Sequence, residues 1–380
     1  TSGTTGFSKG VVLTHKNLVW DARQCRTIQP VDETYRFLSI LPMAHTYENT
    51  LGLLLPLMFG AQVYYLDRVP TPKLLVPAMQ KIRPTVVLSV PLIIEKIYKS
   101  QVLPKFTSSK LMSKLYQFAP ARKLFNRLAG KKLMETFGGE LKFFGIGGSK
   151  LDGTVEQFLR EAKFPYAIGY GLTETAPMAA GSNPSQTFLQ GVGPVMEGVQ
   201  IKINDPDKSG QGEIWIKGPN VMKGYYKRPE LTAETFTEDG WFKTGDLGSF
   251  DKKNRLAIRG RIKTMILGAS GENIYPEEIE SIINNFRFVN ESLVVENSGK
   301  LVAMVHFNME ELEKQYQKLK DQAGNYKEKI NDYIEEQKQE LRDYVNARVN
   351  NFSKLQLVLV QHEPFEKTPT HKIKRFLYCK

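Results

Sequence analysis

The chain has 380 residues, 41% of them hydrophobic, with 52 Lys and Arg against 40 Asp and Glu and a formal net charge of +12. That length exceeds one ordinary domain, and an apolar share of this size builds real cores, which excludes a disordered or low-complexity polymer. The positive excess points to polyanionic partners such as phosphorylated cofactors, an acidic membrane surface or nucleic acid.

Cys25 and Cys379 lie far apart. The spacing excludes a disulfide framework or cysteine-built zinc site and predicts a reducing, cytoplasmic setting. A long uncharged run, Asn49 to Leu66, is interrupted by Gly52, Pro56, Gly60 and Gln62. It reads as a buried helix, a glycine turn and a strand rather than a membrane span.

The first ten residues, Thr1-Ser2-Gly3-Thr4-Thr5-Gly6-Phe7-Ser8-Lys9-Gly10, are small, hydroxylated or glycine except for Phe7 and Lys9. Glycines let successive N–H groups point at an anion, hydroxyls add donors and Lys9 adds a mobile positive charge, so the stretch is expected to hold phosphate. The Walker spacing cannot be laid on it. Taken alone, the decapeptide reads equally well as a flexible linker.

Thr14 is a plausible cap for a helix reaching about Arg26. Strands are then expected over Phe37–Leu41, Gln62–Leu66, Thr85–Val90 and Leu141–Gly145, with helices around 46–58, 72–83 and 91–100. The alternation is βαβ and predicts an α/β fold. His45, in Pro42-Met43-Ala44-His45, falls where a strand yields to a helix, a common place for site residues, although one histidine can equally be a packed core residue.

Between Lys96 and Lys132 there are ten Lys and Arg and no Asp or Glu. This tract reads as helix broken by Pro104 and Pro120. It is either a solvated face or a patch for an anionic membrane surface or the phosphates of CoA, with Phe106, Leu111, Leu115, Tyr116 and Phe118 dipping into lipid.

Two glycine-hinged clusters follow, Phe143-Phe144-Gly145-Ile146-Gly147-Gly148-Ser149 and Ile168-Gly169-Tyr170-Gly171-Leu172-Thr173-Glu174-Thr175. In the first, backbone can approach a flat ligand; in the second, an aromatic can stack on a base, and a hydroxyl beside a carboxylate can serve a phosphate and its Mg²⁺. From Val192 short strands and turns alternate. Within them, Thr244-Gly245-Asp246 forms a tight turn whose carboxylate can accept from two hydroxyls or simply make an Asx turn. Residues 310–350 read as one or two exposed amphipathic helices.

Thr-Ser-Gly-Thr-Thr-Gly-x-x-Lys-Gly, Pro-x-x-His, Tyr-Gly-x-Thr-Glu, Thr-Gly-Asp and a terminal Lys-Thr-x-x-x-Lys-Ile-x-Arg occur in this order along the chain. Together they resemble the adenylate-forming (AMP-binding) superfamily, most closely its long-chain fatty-acid–CoA ligases. Ser8 stands where the family usually has Pro, and His371 where it has Gly.

The resemblance implies an adenylate-forming fold: a large α/β domain over 1–191, a β-rich subdomain over 192–262 and a mobile α+β domain over 263–380, pivoting about Lys263. It implies that Thr1, Ser2, Gly3, Thr4, Thr5, Gly6 and Lys9 hold the phosphates of ATP. Gly147, Gly148, Ser149, Tyr170 and Gly171 would surround adenine, Thr173 would hold the α-phosphate, and Glu174 with Thr1 would hold Mg²⁺. Asp246 would take the ribose, Arg261 would approach the nucleotide, His45 would stand beside the acyl pocket and Lys372 would catalyse adenylation.

The implied substrates are ATP, a carboxylic acid and CoA. Small residues in these motifs leave room for an alkyl chain, and no acidic residue in them suggests recognition of an amino group. An aryl or medium-chain acid ligase, or a catalytically weak membrane- or nucleic-acid-binding protein on the same scaffold, are the alternatives; no specific nucleic-acid motif is recognisable. The expected location is cytoplasmic and peripheral at the inner face of a membrane. Oligomeric state is not legible. The chain begins inside a motif, which leads to the expectation that the first part of the large domain is missing and that the fragment alone is inactive or weakly active.

Overall fold

The structure is a computed structural model that describes residues 9–68, 70–107, 109–268, 272–319, 326–368 and 373–379. The chain divides into two compact units, the larger over 10–244 and 248–258, the smaller including Lys9, 245–247 and the described residues from Arg259 onward.

The larger unit is built on a six-stranded sheet ordered Gln62–Tyr65, Arg36–Ser39, Val86–Ser89, Phe143–Ile146, Tyr166–Gly171, Met178–Gly181. The first five strands are parallel and the last is antiparallel. Helices Pro72–Ile82, Pro91–Ile97 and Gly153–Glu161 lie among the crossovers. Such a sheet is apolar on both faces. The alternation of side chains along a strand divides it accordingly: Phe37, Val86 and Leu88 enter one core, while Leu38, Val87, Phe144 and Ile146 enter another. In the second core Phe137, Phe144 and Phe164 meet edge to face, with centroids 5.4–5.5 Å apart.

Several elements differ instructively from expectation. Thr14 does cap, its Oγ1 accepting from Asn17 N at 3.1 Å while Asn17 Oδ1 accepts from Thr14 N at 2.8 Å, and the helix runs His15–Ile28. The helix expected around 46–58 is π-helical over Glu48–Leu54 before Leu55–Met58. The Glu48 carboxylate folds onto Gly52, filling space 2.5 Å from where a Cβ would stand, and Pro56 offers no N–H to a regular ladder.

The two prolines of the basic tract differ. Pro104 does not break its helix: the chain is helical without interruption over 91–107, passing through a π-helical stretch, Tyr98–Val102, just before the proline that offers no N–H. Pro120 does mark a break: the chain turns extended at Phe118, and Pro120 lies in the first turn of Ala119–Thr136, where a missing N–H is harmless. Between them helix Lys110–Gln117 starts from Ser109, whose Oγ accepts from Met112 N at 3.2 Å.

A four-stranded sheet follows in the order Leu256–Arg261, Phe242–Phe250, Gly212–Lys217, Gln200–Asn204. The smaller unit contains the antiparallel pair Val289–Asn297 and Lys300–Phe307, closed by Ser298 and Gly299 at positive φ, with Leu357–Val360 added in parallel. Helices Met309–Leu319 and Tyr326–Asn346 occupy the charged segment. Leu312, Tyr316, Tyr333, Leu341 and Val345 turn one face of the pair into the core with Ile279, Ile283 and Val305.

Candidate active site

Open α/β sheets bind ligands beyond the carboxyl ends of their strands. In the larger unit those ends carry Pro42–Tyr47, Gly147–Ser149 and Leu172–Thr175. Gly147 N donates to Ser89 O at 3.1 Å, tying two adjacent strand ends together, and Gly148 turns the chain at φ +89°.

Gly145 and Gly147 make a slot for Tyr47. A Cβ at Gly145 would stand 2.9 Å from the Tyr47 hydroxyl, and one at Gly147 would stand 3.3 Å from its ring. Burial, reinforced by Glu48, raises the Tyr47 pKa, so the phenol stays neutral. His45 Nδ1 accepts from Tyr47 N at 3.2 Å. That bond places the proton of the neutral imidazole on Nε2. Next along the chain, Glu48 is 1% exposed and its Oε1 accepts from Ser39 Oγ at 2.5 Å. Burial raises its pKa to about 7.

The second glycine cluster is rigid for a steric reason. A Cβ at Gly171 would lie 1.7 Å from Pro177 O, so a side chain has no space there. Tyr170 is 9% exposed and packs in the core. Beyond Gly171 the chain enters a 3₁₀ turn, Thr173–Thr175, where Thr175 Oγ1 accepts from Leu172 N at 2.9 Å.

Glu174 is 8% exposed, and its Oε1 accepts from the Tyr225 hydroxyl at 2.9 Å. Burial and the nearby Glu174 charge push the Tyr225 pKa up, keeping it a donor. Met222 N donates to Glu174 O at 2.8 Å. Tyr225 is set by a short antiparallel pairing of Gly224–Tyr225 with Val11–Val12, and Tyr226 N donates to Gly10 O at 2.8 Å. Hydrogen bonds thus bring the residues just after the phosphate-loop motif beside the tyrosine that holds Glu174, across more than 160 positions of sequence.

In the smaller unit Asp246 and Arg261 meet. Arg261 Nε lies 2.9 Å from Asp246 Oδ1, and the Asp246 side chain is 5% exposed. The tight turn expected at Thr244-Gly245-Asp246 does not form: these residues lie within the strand Phe242–Phe250, where Gly245 takes φ +72° and its carbonyl accepts from Ile262 N at 2.9 Å. Lys263 is exposed in the following turn, where Met265 N donates to Arg261 O at 2.9 Å.

Near the end of the chain Lys367 Nζ lies 2.6 Å from Glu291 Oε2 and Arg375 Nη1 lies 2.7 Å from Glu280 Oε1. Lys9 is partly buried. Thr1, Ser2, Gly3, Thr4, Thr5, Gly6 and Lys372 lie outside the described residues.

The structure therefore brings His45, Gly147, Gly148, Tyr170, Gly171, Thr173 and Glu174 to one end of one sheet, and it pairs Asp246 with Arg261. Sequence reasoning assigned no role to Tyr47, Glu48 or Tyr225. The partners of Tyr47 and Tyr225, which are Gly145 with Gly147 and Glu174, lie far away in sequence.

The residues fit a nucleotide with Mg²⁺. One buried carboxylate with a fixed oxygen suits an ion that takes one or two carboxylates and fills its remaining sites with phosphate and water. No cluster of three or more His, Cys, Asp or Glu able to hold a metal occurs among the described residues.

A parallel sheet with glycine-lined strand ends, a fixed acidic residue and a separate smaller unit defines an adenylate-forming type of fold. The chain belongs to the AMP-binding enzyme family, whose model matches residues 1–226. It is 31% identical over 410 aligned positions to long chain acyl-CoA synthetase 6, peroxisomal, of Arabidopsis thaliana, covering 99% of this chain and 58% of that protein. It is 30% identical to long-chain-fatty-acid–CoA ligase FadD15 of Mycobacterium bovis, covering 85% of this chain and 56% of that one.

The chain spans less than two thirds of the length of these relatives. Among solved structures, an ATP-bound RpMatB-BxBclM chimera aligns with a TM-score of 0.75 at 26% identity, over 99% of this chain and 66% of that chain. O-succinylbenzoate coenzyme A synthetase (MenE) from Bacillus subtilis, in complex with AMP, shares the fold, with a TM-score of 0.74 at 24% identity over 99% and 67% of the two chains.

Proposed function

We propose that the protein joins a long-chain fatty acid to CoA at the expense of ATP, through an acyl-adenylate. The observation that carries the reading is Glu174, a buried carboxylate fixed by Tyr225 beside glycine-lined strand ends. The long-chain acid follows from the names of the relatives and from the small residues at these strand ends.

In the first half-reaction a carboxylate oxygen attacks the α-phosphorus and the bond to the departing pyrophosphate breaks. An anion must approach a triphosphate, so the site's task is positioning and charge compensation. Gly147, Gly148 and Ser149 offer backbone to the adenine, Tyr170 backs it and Gly171 fixes the turn. Asp246 accepts from the ribose hydroxyls while Arg261 holds the Asp246 carboxylate and approaches the nucleotide. Thr173 donates to the α-phosphate. Residues 1–6 and Lys9 serve the leaving phosphates. Mg²⁺, when bound, offsets phosphate charge at Glu174 and Thr1.

Lys372 supplies the cation at the reacting centre. His45, with its proton on Nε2, stands as a donor toward the acyl pocket. In the second half-reaction the CoA sulfur attacks the acyl carbon and the bond to AMP breaks. The segment from 263 onward pivots about Lys263 between the halves, following the 1–191, 192–262 and 263–380 organisation, so Lys372 is withdrawn when the thiol is admitted. The protein works in the cytoplasm as a peripheral membrane protein.

The test is pyrophosphate release by the full-length protein with Mg²⁺ and ATP over acetate, octanoate, palmitate and benzoate, with and without CoA. Release that is largest with palmitate, together with a CoA-dependent thioester, is expected. Preference for benzoate or octanoate would replace the acid, and no release with any of them would remove the ligase reading. Lys372→Ala should abolish adenylation while leaving thioester formation from supplied acyl-adenylate; equal loss of both would contradict the assigned role.

A further inference from the structure

We infer that the outer face of helix Ala119–Thr136, with the exposed apolar side chains of the preceding segment 111–118, is a docking surface for an anionic lipid bilayer. This inference is independent of the catalytic reading.

The helix has two contrasting faces. Its inner face is anchored: Asn126, Gly130 and Leu133 are buried, and a Cβ at Gly130 would lie 2.6 Å from Ala162. Arg122 and Asn126 both donate to Glu161, at 2.9 and 2.8 Å. At 3.6 residues per turn, positions two before and two after Asn126 stand on the opposite side. Those positions are Leu124 and Leu128, 57% and 62% exposed. A soluble surface helix normally places its leucines inward. Here Lys123, Arg127, Lys131 and Lys132, all exposed, border the two leucines.

The preceding segment extends the same composition. Leu111, Leu115 and Phe118 are 69%, 39% and 62% exposed at helical spacing, with Lys114 exposed beside them. The expectation that Phe106 and Tyr116 also reach outward is corrected. Their rings stack on each other with centroids 4.9 Å apart, Phe106 also stacks on Phe125, and the Tyr116 hydroxyl donates to Asn126 at 2.8 Å. They fasten the helices together and leave the leucines and Phe118 as the outward apolar set.

Exposed leucines ringed by cations, in a tract without one acidic residue from Lys96 to Lys132, match the chemistry of a bilayer carrying acidic headgroups. The leucines would enter the acyl boundary while the cations stay among the headgroups. The occupant is a lipid surface rather than RNA, because the cations surround leucines and the exposed aromatic of this surface, Phe118, is a single ring rather than a row on which successive bases could stack.

The test is flotation of the full-length protein with vesicles of phosphatidylcholine alone and of phosphatidylcholine with phosphatidylglycerol. Binding is expected only to the second, and it should weaken with salt. Lys123→Glu, Arg127→Glu and Lys131→Glu together should reduce it by about a hundredfold or more, at roughly fivefold for each cation lost. Leu124→Ser with Leu128→Ser should reduce it by about tenfold or more while leaving some salt-sensitive attachment. All five positions are exposed, so unchanged circular dichroism and thermal midpoint will show that the variants fold.

Vesicle binding unchanged in both variants would overturn the inference. So would loss of RNA retention in the charge variant with vesicle binding intact.

Discussion

The two units hold their site residues by different physics. In the larger unit the candidate residues are fixed by close packing and neutral donors: Tyr47 lying on Gly145 and Gly147, Gly171 against Pro177, and Tyr225 donating to Glu174. In the smaller unit they are fixed by opposite charges: Arg261 with Asp246, Lys367 with Glu291 and Arg375 with Glu280. Packing resists salt, whereas charge pairs respond to pH and, where exposed, to salt. The larger unit should therefore present a preformed surface, and the smaller one should be tunable by solution conditions.

The largest test of this contrast is Arg375→Ala. Both side chains of the Arg375–Glu280 pair are about one-eighth exposed, and Arg375 also donates to Val294 O at 3.0 Å. Burial raises the Glu280 pKa to about 6 even with Arg375 present. Removing the arginine leaves a buried uncompensated carboxylate, so a loss of roughly 3–5 kcal/mol is expected at pH 8. The loss should shrink toward pH 5 as Glu280 takes a proton. Denaturant titrations at both pH values check it; a loss independent of pH would place the effect in packing instead.

Tyr225→Phe probes the larger unit. It deletes one donor to a buried carboxylate and keeps the ring, so a loss of about 1.5–3 kcal/mol is expected. Adenylation should fall further than stability alone explains, because Glu174 would no longer be oriented. Thermal midpoints and pyrophosphate release, measured together, separate the two effects.

Glu48→Gln should act in the opposite direction. Glu48 has a folded pKa of about 7 against an ordinary 4.5, because burial disfavours its charge. The folded state therefore keeps a proton that the unfolded state releases. Its stabilising contribution is complete below about pH 4.5 and is lost as pH rises to about 7. Glutamine removes this liability, so the variant should gain on the order of 1–3 kcal/mol at pH 8 and little at pH 4.5. Equal effects at both pH values would contradict a titrating Glu48.

Much of this architecture was legible in the sequence because it rests on local signals. Val86-Val87-Leu88 announces a strand buried on both faces, Thr14 announces a cap, and Gly147-Gly148 announces a close backbone turn. The π-helical turn at Glu48 was not legible, because it depends on a carboxylate folding onto Gly52 rather than on propensity. Pro104 misled as a helix breaker because a π-helical stretch before it accommodates a residue without an N–H, whereas the break expected at Pro120 falls at Phe118, two residues earlier. Tyr225 could not be assigned to Glu174 since that pairing exists only once Val11–Val12 meets Gly224–Tyr225.

The smallest expected effect comes from the residue adjacent to the largest. Lys374 pairs with Glu366 at 3.1 Å, but the two side chains are 35% and 65% exposed. Such a pair contributes at most about 1 kcal/mol and is screened by salt. Lys374→Ala should therefore cost a few tenths of a kcal/mol at low ionic strength and nothing measurable in molar salt, where the Arg375→Ala loss should persist. Neighbours in sequence would then differ in burial and in the number of hydrogen bonds each makes. If the two losses fell together with added salt, the buried pair would be reached by solvent ions, and the smaller unit's charge pairs would all be of the tunable kind.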